Sequence, residues 1–427
     1  MADLIGTDET WGAVRDKLNN RAARNPSLVV RLGDSRTEFE YSDPSTQFNR
    51  TTRDGVAWAN AMMGLPFREV ANYGISGSVI EAMQPYVAPA IATGAGYCFI
   101  LDGLNNTDAA KPGAKTAAGM FDALDQLLVQ PLIAAGMRVG IMLEPGANSA
   151  NGKIAIINEY IARIVSAASS ARWGGCVDVF DIREAVLDPT GGAIAYKSGF
   201  SFDGAHMNGK GGYSLGKWLA PKLSGIFPQR PQGLTVDWDA QGYGANQAFR
   251  NPMFVTTTGG TAGSGITGSV PANWAMDAVN GSATVSTGAA SDGIGNELIV
   301  NATWSADGGY VRLYQGITSQ YLFAGDILSP EFDISVDASP TNLGGVGAYQ
   351  SYQTDGGAVE TAYDLNSGGF GALPSEAMSY RTGAPRRTLA PFTTLNFYAG
   401  GLYIRGAGGS GSATVRIRRA TNRKSYD

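Results

Sequence analysis

One histidine and one serine frame the chemistry open to this chain. His206 is the only histidine among 427 residues, so a reaction that needs an imidazole near neutral pH must use it. It stands in Asp203-Gly204-Ala205-His206, where a glycine lets the loop fold back and bring the carboxylate to a ring nitrogen. The serine is Ser35. It follows Leu28-Val29-Val30-Arg31-Leu32-Gly33-Asp34, a mostly apolar run closing in a Gly-Asp-Ser turn. A serine hydroxyl attacks a carbonyl when a base takes its proton, and a carboxylate that fixes the imidazole tautomer completes the set. The negative charge that develops on the substrate oxygen calls for preorganised donors, each lowering the barrier by about 3 kcal/mol. Candidates follow two later apolar runs, in Asn72-Tyr73-Gly74-Ile75-Ser76-Gly77 and Asp102-Gly103-Leu104-Asn105-Asn106.

Such residues need a scaffold whose strands end at one edge. Apolar strand-like runs at 28–32, 67–73, 97–101, 139–143 and 177–180 alternate with helical stretches at 55–63, 78–91, 115–135 and 151–171. The alternation predicts a parallel sheet covered by helices on both faces, with right-handed crossovers. In such a sheet the ligand crevice lies beyond the carboxyl ends of the strands. Ser35, Gly74 and Asn105 each follow a predicted strand, and His206 lies in the last loop.

The set resembles the SGNH, or GDSL-type, hydrolases. Gly33-Asp34-Ser35 looks like the family's first block, whose serine is the nucleophile. Gly74 looks like the second, where a backbone N–H serves the oxyanion hole. Gly103-Leu104-Asn105 looks like the third, where the Asn amide is a further donor. Asp203-Gly204-Ala205-His206 looks like the last, which supplies orienter and base. The blocks run in the family's order across residues 28–225, with one departure: Asn106 stands where the third block usually carries an aspartate. The resemblance implies a flavodoxin-like three-layer α/β/α domain that hydrolyses esters through an acyl-enzyme. Ser35, His206 and Asp203 would be catalytic, with an oxyanion hole from the N–H groups of Ser35 and Gly74 and the amide of Asn105. It calls for no cofactor and no metal.

Other residues compete for attention. Gly212-Tyr213-Ser214-Leu215-Gly216 matches the nucleophile elbow of α/β-hydrolases, but no histidine follows it, and that fold orders its residues Ser, acid, His. Ser214 is therefore expected at a helix start. Arg36 is expected to pair with a nearby carboxylate, and Glu144-Pro145 to be structural. Cys98 and Cys176 sit in apolar runs and read as core thiols. Two separated cysteines and one histidine make a zinc site a poor fit. Trp11 and Trp58 are expected in cores.

Beyond Phe227-Pro228-Gln229-Arg230-Pro231 the texture changes. Glycine, 58 in all and about twice its usual share, gathers with Thr and Ser around short alternating runs at 297–302, 310–314, 332–336, 396–398, 402–405 and 413–418. This predicts an antiparallel β-sandwich. Asn251-Pro252-Met253-Phe254 and Pro271-Ala272-Asn273-Trp274 resemble the opening of jelly-roll carbohydrate-binding modules. The expected division is an N-terminal helical segment 1–26, a hydrolase domain 27–228, a linker 229–250 and a jelly-roll-like sandwich 251–427 for carbohydrate binding or assembly. Tyr310, Tyr314, Tyr349, Tyr352 and Trp304 are candidate sugar platforms. Residues 7–23 read as a helix with Trp11, Val14 and Leu18 on one face. The stretch 9–19 resembles a short helix near the start of bacteriophage tail-fibre and tailspike proteins.

The net charge of −5 and the lack of a basic aromatic-laced patch argue against nucleic acid. No run approaches the roughly 18 apolar residues of a membrane span, and the N-terminus lacks the pattern of a signal peptide. The expected partner is an acetylated polysaccharide or another ester substrate, met on a virion or outside the cell. A homo-oligomer is expected, trimeric if tail-associated. Two rivals stand beside this reading: a virion receptor-binding or structural protein with little catalysis, and a lipid or short-chain carboxylesterase.

Overall fold

Each of the five mostly apolar runs becomes a strand, the three central ones buried on both faces and the two at the sheet's edges only in part. The computed structural model describes residues 24–38, 49–189, 194–228, 230, 247–317, 322–366, 371–422 and 424. The chain divides into two compact units, residues 1–40 with 66–228 and residues 41–65 with 229–427. The helix expected over 7–23, Trp11 included, and most of the expected linker lie outside the described residues.

Up to residue 228 the elements are β1 (Asn25–Gly33), α1 (Ser35–Glu38), β2 (Asn49–Thr51), α2 (Gly55–Met62), β3 (Arg68–Gly74), α3 (Gln84–Ala92) and β4 (Ala95–Leu101). There follow α4 (Ala117–Ala123), running through a wider-wound stretch (Leu124–Val129) into α5 (Gln130–Ala134), then β5 (Arg138–Met142) and α6 (Ile154–Ser169). The last are β6 (Val177–Phe180), α7 (Arg183–Val186) and α8 (Gly209–Leu223). All but β2 and α2 belong to the first unit. Its sheet is parallel throughout, in the order β3-β1-β4-β5-β6. The chain winds outward from β1 in both directions, so β1 adjoins the point where the strand order reverses. Crevices of open α/β sheets form there.

Alternation along the strands sends side chains to both sides of this sheet. Val30, Leu32, Cys98, Ile100, Val139 and Ile141 join Ile80, Leu124, Leu128, Ile157, Ile161 and Ile164 in one buried cluster. On α6 these last three recur at i, i+4 and i+7, one face of a helix. On the opposite side Tyr97 and Phe99 lie 4.8 Å apart, and Phe67 and Phe227 pack at 4.6 Å.

The expected domain 27–228 needs correction. The first of its expected helices, 55–63, which is α2, lies in the second unit, where Trp58 is fully buried and meets Tyr380 edge-on at 5.0 Å. The periodicity of 55–63 marks a helix, but it carries no information about which core receives the apolar face. Cys98 is buried on β4, as expected. Cys176 is only half-buried and lies one residue ahead of β6.

The second unit continues with β7 (Thr261–Ala262), β8 (Ile266–Gly268), β9 (Ala275–Val279), β10 (Gly281–Ala289), β11 (Asn296–Trp304) and β12 (Tyr310–Ile317). Then come β13 (Ile327–Leu328), β14 (Pro330–Val336), β15 (Leu343–Thr354), β16 (Glu360–Asn366), β17 (Met378–Gly383), β18 (Arg387–Thr388), β19 (Leu395–Gly406) and β20 (Gly411–Asn422). One sheet runs β17-β14-β20-β11-β10-β8, the other β2-β16-β15-β19-β12-β9-β7. Pairing is antiparallel except at the margins, where β8–β10, β7–β9 and β2–β16 are parallel. The expectation of a purely antiparallel sandwich is corrected to that extent. The sheets join through side chains: the Tyr380 hydroxyl donates to the Val346 carbonyl at 2.8 Å, and Thr382 Oγ1 accepts the Ala348 N–H at 2.9 Å. Phe249 packs on Trp274 at 4.9 Å and on Phe332 at 5.8 Å. Residues 247–250, read as linker, are thus part of this unit's core and edge.

Candidate active site

Strand β1 ends level with both neighbours. Gly33 pairs with Gly74, the last residue of β3, and with Leu101, the last of β4. Residues 34–35, 75 and 102–105 therefore leave the sheet along one edge. Only glycine fits at 33, because a Cβ there would lie 2.4 Å from the Leu101 carbonyl oxygen. The Asp34 carbonyl accepts the N–H groups of Thr37 and Glu38, both at 3.0 Å. That winds α1 and leaves Ser35 half-buried at its start.

His206 arrives from the loop before α8. Ser201 Oγ donates to the His206 carbonyl at 2.7 Å and accepts the Gly204 N–H at 2.8 Å. Asp203 Oδ1 accepts the N–H groups of Ala205 and His206 at 2.9 and 2.8 Å. Gly204 sits at φ +82°, where side chains are strained, and a Cβ would lie 2.7 Å from Asn148 Nδ2. The turn sets His206 Nδ1 2.6 Å from Asp203 Oδ2 and Nε2 2.8 Å from Ser35 Oγ. An ionised carboxylate only accepts, so Nδ1 carries the proton and the Nε2 lone pair faces the serine hydroxyl. Burial pushes the Asp203 carboxyl up, but hydrogen bonds from the His206 ring and from two backbone N–H groups hold it below the usual carboxylate range.

Behind the serine lies a buried ionic network that the sequence only hinted at. The Arg36 guanidinium bonds Asp34, with Nε to Oδ1 at 3.0 Å, and Glu144, with Nη2 to Oε2 at 2.7 Å. All three are buried, and a buried cation flanked by two carboxylates is the arrangement that survives desolvation. Arg36 thus pairs with carboxylates and Glu144 is structural, both as expected. Asp102 lies close by. Its Oδ1 accepts the Gly103 N–H at 2.7 Å, and its buried Oδ2 has no partner among the described residues. Burial, and then the charge of Asp34, push its carboxyl up.

The expected oxyanion donors divide. The Ser35 N–H has no hydrogen-bond partner among the described residues. The Asn105 amide lies at the same edge, with Nδ2 3.4 Å from Asp34 Oδ2. The Gly74 N–H, in contrast, donates to Asn72 Oδ1 at 2.8 Å, while Asn72 Nδ2 donates to the Thr37 carbonyl at 2.9 Å. An Asn two residues ahead of a glycine at a strand end is the signal for such a side-chain turn, and the sequence carried it. Asn106, in place of the family's aspartate, accepts the Ile80 N–H at 3.0 Å and donates to Glu81 at 2.9 Å, a purely structural task.

Sequence reading missed Phe202. Its ring stacks on His206 at 5.7 Å while 55% of the residue stays exposed. It also missed Tyr196, whose hydroxyl holds the Ala205 carbonyl at 3.0 Å. Nothing in local spacing marks either, since both act across the loop. Ser214 lies inside α8, five residues past its start, without the strand that an elbow requires. A cleft of about 450 Å³ opens beside Glu144 at the ends of β5 and β6, lined by Ile154, Ile157, Ile194, Asp181, Arg183 and Lys197 among others. Among the described residues no group of three His, Cys, Asp or Glu side chains could hold a metal ion, and no helix is long and apolar enough to cross a membrane.

No protein-family model and no curated protein matches the chain. Among solved structures it is similar to a GDSL-like lipase from Bacteroides thetaiotaomicron, at 17% identity over 49% of this chain and 96% of that one, with a TM-score of 0.35. It is similar to a family 3 carbohydrate esterase from Talaromyces cellulolyticus, at 17% identity over 47% and 97%, TM-score 0.36. It is also similar to the enzymatically active domain of tailspike protein 4 of Bacteriophage CBA120, at 11% identity over 36% and 19%, TM-score 0.25. At such low identities and TM-scores, the chemistry of the chain has to be read from its own site.

Proposed function

We propose that the first unit is an SGNH-type serine esterase, a three-layer α/β/α domain that cleaves ester bonds through an acyl-enzyme on Ser35. One observation carries the reading: the sole imidazole is bonded on one side to a hydroxyl and on the other to a carboxylate held ionised. His206 Nε2 takes the Ser35 proton as Oγ attacks the ester carbonyl carbon. Collapse of the tetrahedral intermediate expels the alcohol, which receives that proton. Water, deprotonated by the same nitrogen, then attacks the acyl carbon, releasing the acid and restoring Ser35. Asp203 holds the tautomer and stabilises the imidazolium. The Ser35 N–H and the Asn105 amide serve the oxyanion, and the Gly74 N–H joins them by exchanging Asn72 Oδ1 for it.

The proposed substrate is an O-acetylated polysaccharide, since an accessory β-sandwich suits a polymer, met on a virion or outside the cell by a homo-oligomer, trimeric if tail-associated. The test is a chain-length series of chromogenic esters, with acetate release from acetylated glycans alongside, on wild type and Ser35→Ala. The variant is expected to keep its melting temperature and lose activity by about 10⁴- to 10⁶-fold. Full activity in Ser35→Ala refutes the mechanism, and preference for long acyl chains refutes the acetyl ester.

A further inference from the structure

The seven-stranded sheet of the second unit has two unlike faces. Met276, Val311, Leu313, Val346, Ala348, Leu402 and Ile404 point into the sandwich and are buried. The residues between them point the other way. On that outer face Asp277 of β9 pairs across with Arg312 of β12, and Tyr310 lies opposite Arg405 of β19. Arg312 also lies opposite Tyr403, and Tyr349 of β15 lies opposite Tyr363 of β16. Antiparallel sheets turn polar side chains to water, yet this face carries tyrosine rings and guanidinium groups. From β9 to β16 the row spans about 19 Å, four strand spacings. Glycines 345, 347 and 401 occupy the same face opposite Arg405, Tyr403 and Tyr314, and are buried, with the Tyr349 ring lying where a Cβ on Gly401 would reach.

Two features of the row point to a ligand. Arg312 is neutralised by Asp277, with Nε 3.0 Å from Oδ1. Arg405 has no carboxylate partner among the described residues. Its guanidinium lies 4.7 Å from the ring centre of Tyr403 and 5.7 Å from those of Tyr310 and Tyr363. The face therefore holds one uncompensated positive charge on a protein of net charge −5. The second feature is Tyr349. It is 2% exposed, its ring lies 4.6 Å from Tyr403, and its buried hydroxyl has no partner among the described residues. Such a hydroxyl is costly to leave unbonded. Of the candidate sugar platforms, Trp304 and Tyr352 are buried elsewhere, and the Tyr352 hydroxyl is spent on Glu360 at 2.8 Å. Tyr310, Tyr314 and Tyr349 belong to the row.

We propose that this face binds an acidic polysaccharide, with Tyr310, Tyr314 and Tyr403 stacking on sugar rings and Arg405 pairing with a sugar carboxylate. Tyrosine rings present flat apolar surface with a polar tip, which suits a pyranose. A guanidinium held on aromatic faces forms a planar two-point bond with a carboxylate. The binding face stands on its own observations. That the bound polymer is also the one deacetylated rests on the esterase reading.

The experiment uses the full chain carrying Ser35→Ala, so that binding is read without turnover. Its mobility is followed in gels containing polygalacturonate, alginate or hyaluronate, with carboxyl-reduced polygalacturonate as the neutral counterpart. At least one polyuronate is expected to retard it, and added salt to weaken the retardation. Arg405→Gln and Tyr403→Ala are each expected to weaken it tenfold or more while melting temperature holds. Introduced into the Ser35 protein, these two changes should leave hydrolysis of a small chromogenic ester unchanged. Loss of that hydrolysis in the Ser35 protein itself would strike the esterase reading and leave the binding result intact. No retardation by any of the three polymers, equal retardation by the neutral one, or full binding by both variants overturns the proposal. So does a change in oligomeric mass in the variants with no change in polymer binding, which would mark the face as a contact between copies.

Discussion

Asp203 and Asp102 are two carboxylates driven in opposite directions by their surroundings. Asp203 accepts three hydrogen bonds, from the His206 ring and from two backbone N–H groups. Asp203→Asn keeps the shape but presents an amide that also donates, which favours the wrong imidazole tautomer. An activity loss of about 10⁴-fold with unchanged melting is expected in ester hydrolysis, and a loss under tenfold would remove Asp203 from the mechanism. Asp102 is buried, and one of its oxygens has no partner among the described residues. Burial and the charge of Asp34 raise its carboxyl. A carboxyl raised on folding contributes stability that is present below its unfolded pKa of about 3.9 and is lost as pH rises through the folded value. Asp102→Asn removes that loss. Denaturant titrations from pH 4 to pH 9 are expected to show the variant gaining on wild type as pH rises. Parallel curves over that range would contradict the shift.

At the scale of elements, the sequence read well wherever one segment's pattern was enough. The runs at 28–32 and 177–180 are strands because short, mostly apolar runs of that length fit a doubly covered sheet. The stretch 151–171 is the helix Ile154–Ser169 because its apolar residues recur on one face. Where one side chain serves two segments, the reading fell short. Asn72 closes a turn on Gly74 and also ties β3 to the Thr37 carbonyl, so the Gly74 N–H has another partner than an oxyanion. Helix α2 was legible as a helix, with Asp54 Oδ1 accepting the Ala57 N–H at 2.8 Å as its cap. Its destination was not, because burial depends on what chain folding brings alongside. Trp58 is fully buried against Tyr380. Trp58→Ala is expected to cost about 3–5 kcal/mol. Denaturation followed by a probe in the second unit checks this, and a cost under 1 kcal/mol would place Trp58 outside that core.

At the scale of the whole molecule, the second unit is assembled from two stretches far apart in sequence. Strand β2 pairs with β16, Asn49 opposite Tyr363, and the Arg50 guanidinium lies 2.9 Å from Asp364, a carboxylate buried with it. Fragment 229–427 lacks these partners. Removing one member of a buried ion pair leaves the other uncompensated, at about 3–5 kcal/mol. Expressed alone, the fragment is expected to melt well below the full chain or not to fold. Addition of a peptide covering 41–65 is expected to restore a cooperative transition, read by calorimetry. A fragment as stable as the full chain would show that 41–65 is dispensable to the sandwich.

The sequence by itself determined the chemistry on offer and its order along the chain. A unique histidine three residues after an aspartate, and a serine, a glycine and an asparagine each after an apolar run, are local facts that need no coordinates. It determined the parallel sheet for the same reason, since strand and helix periods are properties of single segments. Only the tertiary structure decided what each polar group bonds to. Ser35 and His206 lie 171 positions apart in the chain yet 2.8 Å apart in space, and Arg36 spans Asp34 and Glu144 across two strand ends. It alone decided that residues 49–65 serve the sandwich and that Tyr310, Arg312, Tyr403 and Arg405 share one face. Register and long-range pairing are collective outcomes of packing, and no window of the sequence contains them.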